Sequence, residues 1–80
     1  MIVLSIDSGV EKTGYSVFNK TKSSIIYLES DLIKTSKDKN LEERLQEIYL
    51  RLNDVIVKYK PRAIVLEQIF FFKNQNKEVK

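Results

Sequence analysis

Two short apolar runs bracket this chain, and each ends on a carboxylate. Ile2-Val3-Leu4-Ser5-Ile6 leads into Asp7, and Ala63-Ile64-Val65-Leu66 leads into Glu67. An apolar run of this length, bounded by a turn, predicts a strand buried on both faces. Between the runs the chain has room for two more strands and one long helix. Ser8 to Gly14 is a loop holding the only two glycines of the protein. Tyr15 to Phe18 resumes as a strand, making a hairpin with the first. Asn19 to Ser24 is a polar turn, and Ile25 to about Lys34 reads as a third strand.

Asn40 opens the helix. Its side chain can cap the first turn, and Glu43 sits three residues on, in the reciprocal position of a capping box. Leu41, Leu45, Ile48, Leu52, Val55 and Tyr59 recur at spacings of four and three, which predicts one apolar stripe. Glu47 with Arg51, and Asp54 with Lys58, are spaced for favourable pairs one turn apart. Lys58 and Lys60 suit the negative end of the helix dipole, and Pro61 stops the helix. Arg62 to Glu67 is then the fourth strand.

Three strands, a helix and a strand define an α/β topology. The first three strands form an antiparallel meander. The helix is a crossover long enough to return the fourth strand parallel to the first. Both apolar runs are expected side by side at the centre of the sheet. Asp7 and Glu67 would then lie close together at the carboxyl ends of adjacent parallel strands, the edge where open sheets place ligands. Two carboxylates held that close repel each other when ionised, and a divalent cation relieves the repulsion. Taken singly, an Asp after a strand is ordinarily a turn former and a Glu there a loop residue. The pair is what points to a site.

Composition narrows the chemistry. With 80 residues the chain is at most one small domain, and 42% hydrophobic with 31% charged residues marks it as globular. It contains no cysteine and no histidine, so a metal here must be held by oxygen, which favours magnesium or manganese. The formal charge of +3 is compatible with a nucleic-acid partner. The start has no basic leader, and its apolar run is too short to span a membrane, which predicts a cytoplasmic location.

Several segments resemble the RuvC family of Holliday-junction resolvases, in order along the chain. Ile6-Asp7-Ser8-Gly9 with Thr13-Gly14-Tyr15 is similar to its first motif. Leu32-Ile33-Lys34-Thr35, then Leu41-Glu42-Glu43-Arg44-Leu45 and Ile48-Tyr49, are similar to its third strand and first helix. Tyr59-Lys60-Pro61, then Leu66-Glu67-Gln68-Ile69-Phe70 and Lys73-Asn74, are similar to its second acidic motif. The resemblance implies a ribonuclease-H-like mixed sheet and a homodimer that nicks four-way DNA junctions with magnesium bound by four acidic groups. Asp7 and Glu67 would be the first two metal ligands and the catalytic residues. Phe70 would stack against bases near the crossover, although Phe70 to Phe72 also reads as a core patch. Ser8 departs from the family's usual proline.

Lys73, Lys77 and Lys80 would share a face if the tail is helical, and could follow a phosphate backbone; a solvated tail is the other reading. Lys12 and Lys34 are further candidates. Because the family is about twice this length by the resemblance, residues 1–80 are expected to be the amino-terminal part of a single nuclease domain. They would be inactive alone, and prone to associate or to need a complementing carboxyl-terminal half. Two other readings are an actin-like ATPase or sugar-kinase fragment, and a non-catalytic DNA-binding or dimerisation module.

Overall fold

The computed structural model describes residues 1–67, so Phe70, Lys73, Lys77 and Lys80 lie outside the described residues. The elements are β1 (Ile2–Asp7), β2 (Lys12–Lys20), β3 (Ile25–Lys34), α1 (Leu41–Tyr59) and β4 (Ala63–Glu67). They build one sheet in the order β3-β2-β1-β4. Strands β1, β2 and β3 are antiparallel neighbours, and β4 runs parallel to β1. The expected meander, crossover helix and parallel return are all present.

Helix α1 begins as the sequence predicts. Asn40 accepts from the Glu43 amide at 2.9 Å, and the Glu43 carboxylate accepts from the Asn40 amide at 3.1 Å. Lys60 closes the helix in the left-handed region at φ 48°, its N–H donating to the Ile56 carbonyl. Pro61 then forbids another turn.

The helix lies on one face of the sheet only. Leu4, Ile6, Tyr15, Val17 and Ile33 from the strands meet Val55 in the core, with Ile48, Leu52, Ile56 and Tyr59 packed around them. Leu4 and Val17 are fully buried. Each such side chain contributes about 1.5–3 kcal/mol relative to full exposure.

Several expectations are corrected by this one-sided packing. Strand β1 is not buried on both faces: Leu4 and Ile6 are buried, whereas Ser5 is half-buried and Asp7 exposed. Ser5 is the residue that betrays a period of two in the run. Strand β4 is beside β1 but at the edge of the described sheet rather than its centre, and Ile64, Val65 and Leu66 are exposed. The apolar stripe of α1 is used from Ile48 onward, since Leu41 and Leu45 are exposed. The ion pairs expected within the helix give way to pairs that tie α1 to other segments, Arg51 to Asp31 and Lys58 to Glu29 among them. Strand β2 starts at Lys12 rather than Tyr15, because Asp7 and Gly14 continue the β1–β2 ladder and shorten the loop to four residues.

A bulge interrupts the β2–β3 ladder between Val17 and Phe18. Val17 pairs with Glu29 and Phe18 with Tyr27, so Leu28 is the extra residue of β3. The bulge restores Tyr27 to the face of Phe18, and the two rings meet edge to face with centroids 6.3 Å apart. Among the described residues no helix is long and apolar enough to cross a membrane.

Candidate metal centre on the open face of the sheet

The face away from α1 is assembled in rows by strand register. Ser5 pairs with Ser16, and Ser16 with Ser30. In the next row Glu67 pairs with Asp7, Asp7 with Gly14, and Gly14 with Leu32. Register partners point to the same side of a sheet, so both carboxylates emerge together where two parallel strands end. Their strands lie about 4.8 Å apart, close enough for the two side chains to share one ion. The small side chains of the serine row leave an open groove of about 580 Å³, lined by Ser5, Asp7, Gly14, Ser16, Ser30 and Glu67 among others.

Two local devices set these carboxylates. The Ser5 hydroxyl donates to Glu67 Oε2 at 3.4 Å, across the two strands. The loop after Asp7, residues 8–11, is fastened from below. The Thr13 hydroxyl donates to the Gly9 carbonyl. The Thr35 hydroxyl donates to the Val10 carbonyl at 2.7 Å, and the Thr35 amide donates to the Glu11 carbonyl at 3.0 Å. Arg44 Nε on α1 in turn donates to the Thr35 hydroxyl at 2.9 Å. Thr13 and Thr35 are the two buried polar residues among those described. Gly9 is required by close approach, since a Cβ there would meet the Lys12 carbonyl oxygen at 2.5 Å.

A second polar cluster lies on the helix side. Glu29 accepts from Tyr59 at 2.6 Å, from Tyr15 at 2.7 Å and from Lys58 at 3.1 Å. These donors, led by the Tyr59 hydroxyl, hold the Glu29 carboxyl down at about 2. Desolvation, reinforced by the hydrogen bond to Glu29, pushes the Tyr15 hydroxyl up to about 12. Each group of this cluster is spent on another, so the cluster fastens the helix to β3 rather than offering a ligand.

Two of the predicted site residues, Asp7 and Glu67, are therefore brought together; Phe70, Lys73 and Lys77 fall outside the described residues. Sequence reasoning missed Ser5 and the roles of Thr13 and Arg44. Ser5 had a visible signal, as the one polar residue within an apolar run. The Arg44–Thr35–Val10 relay joins residues far apart in the chain and had none.

A family model described as crossover junction endodeoxyribonuclease RuvC matches residues 3–80. The chain belongs to the RuvC family. This decides against the actin-like ATPase and sugar-kinase reading. RuvC of Citrifermentans bemidjiense is 35% identical over the whole chain, which covers 49% of that protein. RuvC of Baumannia cicadellinicola is 42% identical over 99% of the chain, which covers 45% of it. Among solved structures, T. thermophilus RuvC in complex with a Holliday junction substrate superposes with a TM-score of 0.80 at 28% identity, over 94% of this chain and 49% of that one. The mixed sheet with β4 parallel to β1 is thus the ribonuclease-H-like fold of RuvC, and the chain spans about half the length of the curated relatives it matches.

Proposed function

We propose that this RuvC-family chain serves a magnesium-dependent endonuclease that nicks four-way DNA junctions, with Asp7 and Glu67 as metal ligands and catalytic residues. The observation that carries the reading is their pairing in register at the ends of β1 and β4, on the face that α1 leaves open. The donor set fits a hard cation. Magnesium takes oxygen ligands, keeps several waters and is commonly bound by one or two carboxylates together with substrate phosphate. Manganese fits the same set. Such an ion supplies a Lewis acid to a phosphodiester.

The chain's own residues do the rest of the work assigned here. Asp7 and Glu67 hold the ion at the mouth of the groove. Ser5 orients Glu67 through its hydroxyl. The Thr13 and Thr35 anchors fix the loop that follows Asp7, and with it the direction of that carboxylate. The groove along the serine row gives a nucleic-acid backbone access to the site. In this reading residues 1–80 are the amino-terminal part of one nuclease domain. The active enzyme is a cytoplasmic homodimer, with Phe70, Lys73 and Lys77 on the DNA.

Among the described residues no third acidic group joins Asp7 and Glu67. The second reading for these residues by themselves is a non-catalytic DNA-binding or dimerisation module. Incubating the chain with a mobile four-way junction and magnesium, alone and in a full-length context, separates the two. In the full-length context Asp7→Asn and Glu67→Gln are expected to abolish cutting while junction binding persists. Near-normal cutting by either variant would remove these roles.

A further inference from the structure

Lys12 and Lys34 are direct register partners in the β2–β3 ladder. Lys12 lies two residues before Gly14, and Lys34 two residues after Leu32, so both stand on the open face with Asp7 and Glu67. The alternation of β2 bears this out: Thr13, Tyr15 and Val17 are buried toward the helix, while Lys12 is exposed. The lysine row lies about 7 Å from the Asp7–Gly14 row, two residues along strands that rise about 3.4 Å per residue. That is within a Debye length at ordinary ionic strength.

Like charges directly opposite each other destabilise a strand pair. The protein keeps this arrangement nonetheless. Among the described residues neither lysine is in an ion pair, as is true of most of the lysines; what sets these two apart is that they face each other in register beside the open groove. Two facing cations there suit an anion supplied from outside.

We propose that Lys12 and Lys34 form a phosphate clamp that holds a DNA backbone on the open face, one row beyond the carboxylate pair. This rests on the junction-nuclease reading and adds to it the residues that seat the strand. The clamp draws the polyanion toward a site whose own side chains would repel it. It also sets the backbone's direction, across β2 and β3 toward Asp7.

The test is the salt dependence of binding to a four-way junction of mixed sequence, measured for the chain in its full-length context without magnesium. Each phosphate contact contributes about 0.9 to the slope of log affinity against log salt. Lys12→Gln and Lys34→Gln should each flatten the slope by about that amount. The double variant should flatten it by about 1.8, a difference of about 12-fold in affinity change between 50 and 200 mM salt. Lys12→Arg and Lys34→Arg should keep the slope, and Lys39→Gln, a cation already paired with Glu47, should leave it unchanged. Thermal unfolding of the Gln variants should be equal to or higher than that of the parent, since a repulsion is removed. If the parent chain binds steeply and the Gln variants bind with the same slope, the clamp is wrong and the nuclease reading stands. If the lysines only balance the acidic pair, the slope stays unchanged and Mn2+ binding tightens once they are removed, which also overturns the clamp. A parent chain with no salt-sensitive binding overturns the clamp and junction binding by these residues together.

Discussion

The two faces of this sheet are made by the same strands and behave as opposites. On the helix side, polar groups are spent on one another: Tyr15, Tyr59 and Lys58 all converge on Glu29, and the core side chains of β1, β2 and β3 are closed over by α1. On the other side Asp7, Glu67, Lys12 and Lys34 stand exposed, above a floor of serines. Alternation along a strand makes this possible, because consecutive residues serve different faces. Leu4 and Ile6 hold the fold, and Ser5 and Asp7, set between and after them, hold the candidate site. The lesson is that stability and chemistry are interleaved residue by residue here, and substitutions one position apart should separate them.

The largest effect is expected at Leu4. Leu4→Ala empties a fully buried position and should cost about 2–5 kcal/mol, read by chemical denaturation. A loss below about 1 kcal/mol would mean that the helix face is not the core. At Gly9, an added methyl group collides with the Lys12 carbonyl, so Gly9→Ala should cost about 1–3 kcal/mol. If Gly9→Ala unfolds at the parent's denaturant midpoint, the loop after Asp7 is looser than its anchors imply. Acid sharpens the contrast further. The Glu29 carboxyl is lowered from 4.5 to about 2 in the fold, so its contribution is complete above about 4.5. It is lost progressively as pH falls through about 2, where protonation releases the tyrosine and lysine donors. Glu29→Gln should therefore flatten the pH dependence of stability between those values, and an unaltered acid-unfolding curve would count against the cluster. The smallest effect belongs to the open face: Ser5→Ala should change stability by less than about 0.5 kcal/mol, because its bond to Glu67 is long and exposed. A larger loss would show that the floor of the groove is structural.

Much of this plan was legible in the sequence. The capping box at Asn40 and Glu43, the stop at Pro61 and the strand order all follow from local rules that need no knowledge of the rest of the chain. The meeting of Asp7 with Glu67 followed from topology, since a crossover helix brings the two strand ends level. What could not be read is what depends on which surfaces are covered. An apolar β4 looks the same in sequence whether it is central or at an edge, and α1 has the spacing to bury Leu41 and Leu45 although it leaves them exposed. The pairing of Lys58 with Glu29 instead of Asp54 was hidden for a similar reason: the helix turns its charges toward β3, and only the packing reveals that.

The extra residue at Leu28 has a consequence for how the hairpin is aligned. It sits between the turn joining β2 to β3 and the rows that carry Ser30, Leu32 and Lys34. The ladder is regular on either side of Leu28, so the rows from Ser16–Ser30 to Lys12–Lys34 are set on one side of the bulge and the pairs next to the turn of residues 21–24 on the other.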